Sequence, residues 1–140
     1  MKCLLCNIRC HCAGSVTFCS CVHREYHLVN VKKNWSEAQQ YCRSNYTDLA
    51  TVGNYEDMKR LISQTSASGV TEEVWIGLTK TGPLQWQWSV GETLSGEGVA
   101  EYTNWAGLPS SSHLCGGMYT NGMWLAADCQ TAQWFICEDG

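Results

Sequence analysis

CGGMYTNGMWLAADCQTAQWFIC, residues 115–137, carries three cysteines and two tryptophans on a short alternating apolar pattern. Asn121-Gly122 near its middle is the strongest short-range hairpin signal, because both residue types accept the positive φ of a tight turn. Cys115 and Cys129 sit at either end of this turn-bearing segment. A bridge between them would clamp a loop between strands, and the contents of that loop decide the functional reading.

The 140 residues suit one domain with a single core. The formal charge of −4, with Lys32-Lys33 as the longest basic cluster, leaves no electrostatic footprint for nucleic acid. No run of 18 apolar residues exists, so the sequence contains no membrane span. Seven Trp and six Tyr against two Phe favour side chains that join apolar area to a polar handle, which suits recognition and β-rich cores alike.

Ten cysteines point to an oxidising compartment. Six of them, Cys3, Cys6, Cys10, Cys12, Cys19 and Cys21, crowd the first 21 residues. Residues 1–22 are read as a leader-like, cysteine-rich segment and residues 23–140 as the domain. Lys2 and the weakly apolar stretch after it resemble a secretory signal, although Arg9 and His11 interrupt it. Extra disulfides, or a thiolate metal site including His11, are the alternatives.

Glu25–Val31 alternates as an opening strand, suited to an edge. Asn34 with Glu37 forms a capping signal, and Trp35, Ala38, Tyr41 and Cys42 follow at helical offsets. Asn54 with Asp57 repeats the device ahead of Tyr55, Met58, Leu61 and Ile62, predicting a second helix. Thr47–Val52 between them is an extended connector, and residues 64–71 are a polar linker that closes the helical half. Glu73–Thr79 reads as a strand buried on both faces, with Gly77 permitting close backbone approach. Leu84, Trp86 and Trp88 share one face of a further strand and are assigned to the core. Gly91–Ser112, with Trp105 at its middle, is a long organised loop of the kind kept for function.

Helix-borne Cys42, Trp75-Ile-Gly-Leu78, Trp86-x-Trp88-Ser-x-Gly91, Asn104-Trp105, Pro109, Cys115, Trp124, Cys129, Phe135 and Cys137 together resemble the C-type lectin-like domain family from Glu25 onward. The resemblance implies an α+β fold in which two helices flank a mixed, mostly antiparallel sheet with a long loop region. It also implies the pairings Cys42 with Cys137 and Cys115 with Cys129. Spacing alone allows three connectivities for four cysteines.

In sugar-binding members of that family, five oxygen side chains of the long loop region hold a calcium ion and the sugar hydroxyls. The corresponding positions here are Leu108 and Ser110 around Pro109, His113, and Leu125 and Ala126 after Trp124. Calcium takes six to eight oxygen ligands, usually with several carboxylates, so no metal and no cofactor are expected at this position. Asp128, beside a cysteine, is read as a structural hydrogen-bonding group.

The four histidines match no nucleophile-elbow pattern, and Ser110-Ser-Ser-His113 lacks an oxyanion-hole partner, so no catalysis is expected. Asn34-Trp-Ser36 and Asn45-Tyr-Thr47 are glycosylation sequons, with Asn45 the better acceptor because Asn34 has a capping role. The sequence therefore reads as a secreted, non-catalytic domain that binds a protein or glycan ligand without calcium. Its binding surface comprises Trp105, Leu108, Pro109, Ser110, His113, Trp124, Leu125 and Ala126. The apolar replacements favour a protein ligand. An ice-binding protein of the same fold, without support from a regular Thr array, and a damaged paralogue are the alternatives. No feature specifies an oligomeric state.

Overall fold

The computed structural model describes residues 10–12, 19–21, 24–81, 85–92 and 98–139. Most of the leader-like segment, Leu84 and the start of the long loop at 93–97 lie outside the described residues. Two short strands, β1 (Cys10–Cys12) and β2 (Cys19–Cys21), pair antiparallel as a separate ladder.

The domain continues with β3 (Glu25–Lys33), α1 (Trp35–Asn45), β4 (Asp48–Leu49), α2 (Tyr55–Ala67), β5 (Val74–Lys80) and β6 (Trp86–Trp88). It ends with β7 (Cys115–Met118), β8 (Trp124–Ala127) and β9 (Gln133–Asp139). The main sheet runs β3-β9-β5-β7-β8, with β4 added on β9 and β6 on β5. Only the β5–β9 pairing is parallel among these strands, and β3 stands at an edge.

Helix α1 starts where its cap chemistry dictates. The Asn34 side chain accepts from the Glu37 amide, and the Glu37 carboxylate accepts from the Asn34 amide, which satisfies two of the orphan donors of the first turn. Asn54 caps α2 through the Asp57 amide, but the Asp57 carboxylate reaches back one residue further, to the Gly53 amide. Helix α2 runs on to Ala67, through the first part of the expected 64–71 linker. Its extension follows from Thr65, which is buried and returns its hydroxyl to the Leu61 and Ile62 carbonyls inside the helix. The helix stops at Ser68, and Gly69 follows with φ of +70°.

The helices cover opposite faces of the sheet. Met58 and Leu61 of α2 pack with Val74, Ile76, Leu78, Met118, Trp124 and Ile136. Trp35, Ala38 and Cys42 of α1 pack with Leu49, Trp75, Phe135 and Cys137. Strand β5 thus feeds alternate side chains to both clusters, as its unbroken apolar run requires. Gly77 in that strand donates its amide to the Ala50 carbonyl, and a Cβ there would fall 2.8 Å from the same oxygen.

Two disulfides lock this arrangement. Cys42–Cys137 joins α1 to β9 across 95 residues, and Cys115–Cys129 closes a span of 14 around the β7–β8 hairpin. In the chain-entropy view these bonds contribute roughly 4–5 and 3 kcal/mol respectively.

A buried polar cluster ties the ends of the domain together. Arg24 lies 2.8 Å from Asp57 and 3.6 Å from Glu138, while Thr51 donates its amide to Glu138 and Tyr26 donates its hydroxyl to the Thr51 carbonyl. Burial pushes the Tyr26 phenol far up and the Glu138 carboxyl from 4.5 to about 7. Arg24 and the Thr51 hydrogen bonds oppose the Glu138 shift, but Arg24 sits closer to Asp57 and desolvation wins.

Between pH 4.5 and about 7 the folded chain holds a proton on Glu138 that the unfolded chain has released. This contribution to stability is full below 4.5 and is lost as pH rises through about 7. Denaturant titrations across that range should show the loss in the native protein and a flatter profile in Glu138→Gln. Parallel profiles would refute the assignment.

Candidate functional site

The long loop is fastened at both ends to the sheet. At its entrance the Trp88 amide donates to the Gly98 carbonyl and the Ala100 amide donates to Trp86. At its exit the Lys80 amide donates to the Leu114 carbonyl at 2.8 Å. The middle is sewn onto β8: Trp124 donates to the Asn104 carbonyl at 2.8 Å, Ala106 donates to the Trp124 carbonyl at 2.9 Å, and Asn104 Nδ2 reaches the Gly122 carbonyl.

Trp124 is the centre of this fastening. Its ring is fully buried and meets Trp88, Tyr102 and Trp105 edge-on, with centroids 5.5, 5.8 and 5.9 Å away. Trp105 packs further on Trp86 at 4.8 Å, so four tryptophans run from the sheet into the loop. Edge-to-face geometry places the positive rim of one ring on the negative face of the next and adds about 0.5–1.5 kcal/mol per pair beyond area burial. The hairpin below closes as Asn121-Gly122 demands, with Gly122 at φ +90° and Asn121 Oδ1 accepting from the Met123 amide.

Of the residues assigned to the binding surface, Leu108, Ser110 and His113 are exposed, and Trp105, Pro109, Leu125 and Ala126 are half-buried. Leu108 has all of its surface in solvent, which is unusual for a leucine in an ordered loop. Trp124, at 0% exposure, lies beneath this surface and supports it. The register brings β8 onto this end of the sheet, with Gly116 opposite Ala126 and Gly117 opposite Leu125.

The donor set does not fit calcium. Leu108, Leu125 and Ala126 carry no side-chain oxygen, His113 offers nitrogen, and the Ser110 hydroxyl is engaged with Ser112 at 3.0 Å. Among the described residues no three His, Cys, Asp or Glu side chains group as a metal site. Asp128 Oδ1 accepts from the Gln130 amide and shapes the turn before β9.

The sequons differ in availability. Asn45 is exposed and its Nδ2 donates to the Tyr41 carbonyl, whereas Asn34 is half-buried within its capping box. No helix among the described residues is long and apolar enough to cross a membrane.

Arrangement and sequence agree on a family. The Lectin C-type domain model matches residues 31–139, and the chain belongs to that family. The secretory phospholipase A2 receptor of Bos taurus is 31% identical over 123 residues, a match covering 81% of this chain and 8% of the receptor. Snaclec A13 of Macrovipera lebetinus is 31% identical over 117 residues, covering 80% of this chain and 84% of that one. Among solved structures, the mouse scavenger receptor C-type lectin carbohydrate-recognition domain superposes with TM-score 0.71 at 26% identity, covering 85% of this chain and 90% of that one. Human lithostathine gives TM-score 0.73 at 22% identity, covering 93% and 95%.

Removing the central ring separates support from display. Trp124→Ala should lower unfolding free energy by about 3–5 kcal/mol, while Leu108→Ala should leave it within about 0.5 kcal/mol. Denaturant melts measure both, and equal losses would show that Leu108 is a packing residue.

Proposed function

We propose that this chain is a secreted, non-catalytic recognition domain whose long loop binds a protein or glycan ligand without calcium at the family's primary site. What supports this reading is that the five positions which the family resemblance matches to calcium ligands carry Leu108, Ser110, His113, Leu125 and Ala126, with Leu108 fully exposed. Extracellular calcium sites bind at only about 10⁻⁴–10⁻³ M even with their carboxylates present. With at most one hydroxyl and one imidazole, this set lacks the charge to hold the ion.

The same replacements favour a protein partner over a sugar. A sugar needs fixed donors and acceptors for its hydroxyls, whereas Leu108 and the half-buried Leu125 offer apolar area with no polar group to satisfy. Burying Leu108 fully against a partner would contribute about 1.5–3 kcal/mol. Glycans at Asn45 would sit at the end of α1 and, with Cys42–Cys137 and Cys115–Cys129, would suit an extracellular setting.

Melting midpoints in millimolar calcium and in EDTA should coincide, since a site that does not bind the ion gives no linked stabilisation. Arrays of extracellular proteins and of glycans, screened in EDTA, should then give a protein ligand whose binding falls about tenfold or more in Leu108→Asp. Sugar binding that appears only with calcium would overturn this reading.

A further inference from the structure

The two short strands ahead of the domain hold four of the N-terminal cysteines in a fixed register. Cys10 stands opposite Cys21, His11 opposite Ser20, and Cys12 opposite Cys19. Residues two apart on a strand share a face, so Cys10, Cys12, Cys19 and Cys21 occupy one face of the ladder and His11 and Ser20 the other. Cys3 and Cys6 lie outside the described residues.

Register decides which of these cysteines can bond. A disulfide spans Cα atoms about 4.4–6.8 Å apart and Cβ atoms about 3.5–4.5 Å apart. Residues directly opposite in an antiparallel pair have Cα atoms about 4.5–5.5 Å apart, inside that range. Diagonal neighbours such as Cys10 and Cys19 stand about 7–8 Å apart, outside it. Neighbours two apart on a strand, such as Cys10 and Cys12, are separated by about 6.4–6.8 Å with nearly parallel Cα–Cβ bonds, which leaves their Cβ atoms too distant. Pairs two apart in an antiparallel ladder are of one kind, both hydrogen-bonded or both not, so the two opposite pairs meet the same geometric demand.

Chemistry points the same way. A thiolate metal site is the competing use of four cysteines on one face, but its ligand pairs are typically separated by about two to four residues. Cys10-His11-Cys12 and Cys19-Ser20-Cys21 each leave a single residue between the cysteines. Opposed thiols in an oxidising compartment go to the disulfide instead: each pair gives two protons and two electrons to the disulfide of an oxidoreductase, which leaves as a dithiol. Only Val22 and His23 separate Cys21 from Arg24, whose guanidinium lies 2.8 Å from Asp57 and 3.6 Å from Glu138. The chain leaving the ladder is thus anchored at once to α2 and β9.

We infer that residues 10–21 form a ladder with two disulfide rungs, Cys10–Cys21 and Cys12–Cys19, and that this ladder belongs to the folded protein instead of being shed with a leader. The inference rests on the oxidising, extracellular setting of the proposed function and on nothing in the long-loop surface. A leader is removed before it can serve as structure, so a paired register that places cysteine opposite cysteine twice would have no use there.

Trypsin cuts after Arg9 and Arg24 and nowhere between, so residues 10–24 leave as one peptide that carries all four cysteines. The full chain is refolded in a glutathione redox buffer, free thiols are alkylated, and the digest is weighed without reduction. The peptide should carry no alkyl group and be lighter than its reduced form by the hydrogens of two disulfides. A further cut after Phe18 should leave its halves joined until they are reduced. In Cys12→Ser, alkylation should mark Cys19 and leave Cys10–Cys21 closed; if that variant fails to fold, the digest of the native chain decides. Alkylated cysteines in the native peptide, halves that part without reduction, a bond to Cys3 or Cys6, or Cys21 marked in Cys12→Ser would overturn the inference. A mature chain that starts at residue 22 or later would overturn it too. Cys42–Cys137 and Cys115–Cys129 are read in the same digest. An open ladder beside closed core bonds sinks the ladder alone, whereas open bonds in both count against the oxidising setting as well.

Discussion

The packing of Trp124 against Trp88, Tyr102 and Trp105 is the constraint on which the long loop depends. A loop of this length would ordinarily lose its conformation to chain entropy unless its own side chains or the sheet held it. Here β8 supplies backbone bonds to Asn104 and Ala106, and the indole beneath them supplies the apolar anchor. Trp124 Nε1 has no hydrogen-bond partner despite its burial, so the ring acts through its area and its edges and not through its polar handle. The loop surface and the core are consequently one packed unit.

The frame beneath that unit does not rest on the outermost loop side chains. Cys42–Cys137 and Cys115–Cys129 fix the frame, and β5 serves both clusters through alternate side chains. None of these contacts uses the side chains of Leu108, Ser110 or His113. Substitutions at these outer positions should therefore cost the fold little.

Much of this is legible in the sequence because it is local or strongly periodic. Asn34 with Glu37 marks the start of α1, the Glu73–Thr79 run marks a strand buried on both faces, and Asn121-Gly122 marks the hairpin. The end of α2 is less legible, since Gln64–Ala67 looks like linker until the burial of Thr65 shows why the helix continues. The sequence neighbours of Trp124 place it in the binding surface, and only the third dimension shows its ring facing inward.

Contacts between distant positions have no sequence signal at all. Arg24, Asp57 and Glu138 meet because β3, α2 and β9 converge, with Thr51 and Glu138 lying 87 residues apart. Gln133 gains its unmet oxygen only from the meeting of β5, β7 and β9. The central claim is that aromatic packing, and not a metal ion, orders the loop. Hydrogen exchange at the Ala106 and Trp124 amides tests it most directly: the account predicts strong and equal protection in calcium and in EDTA. Protection that rises only when calcium is added would contradict it.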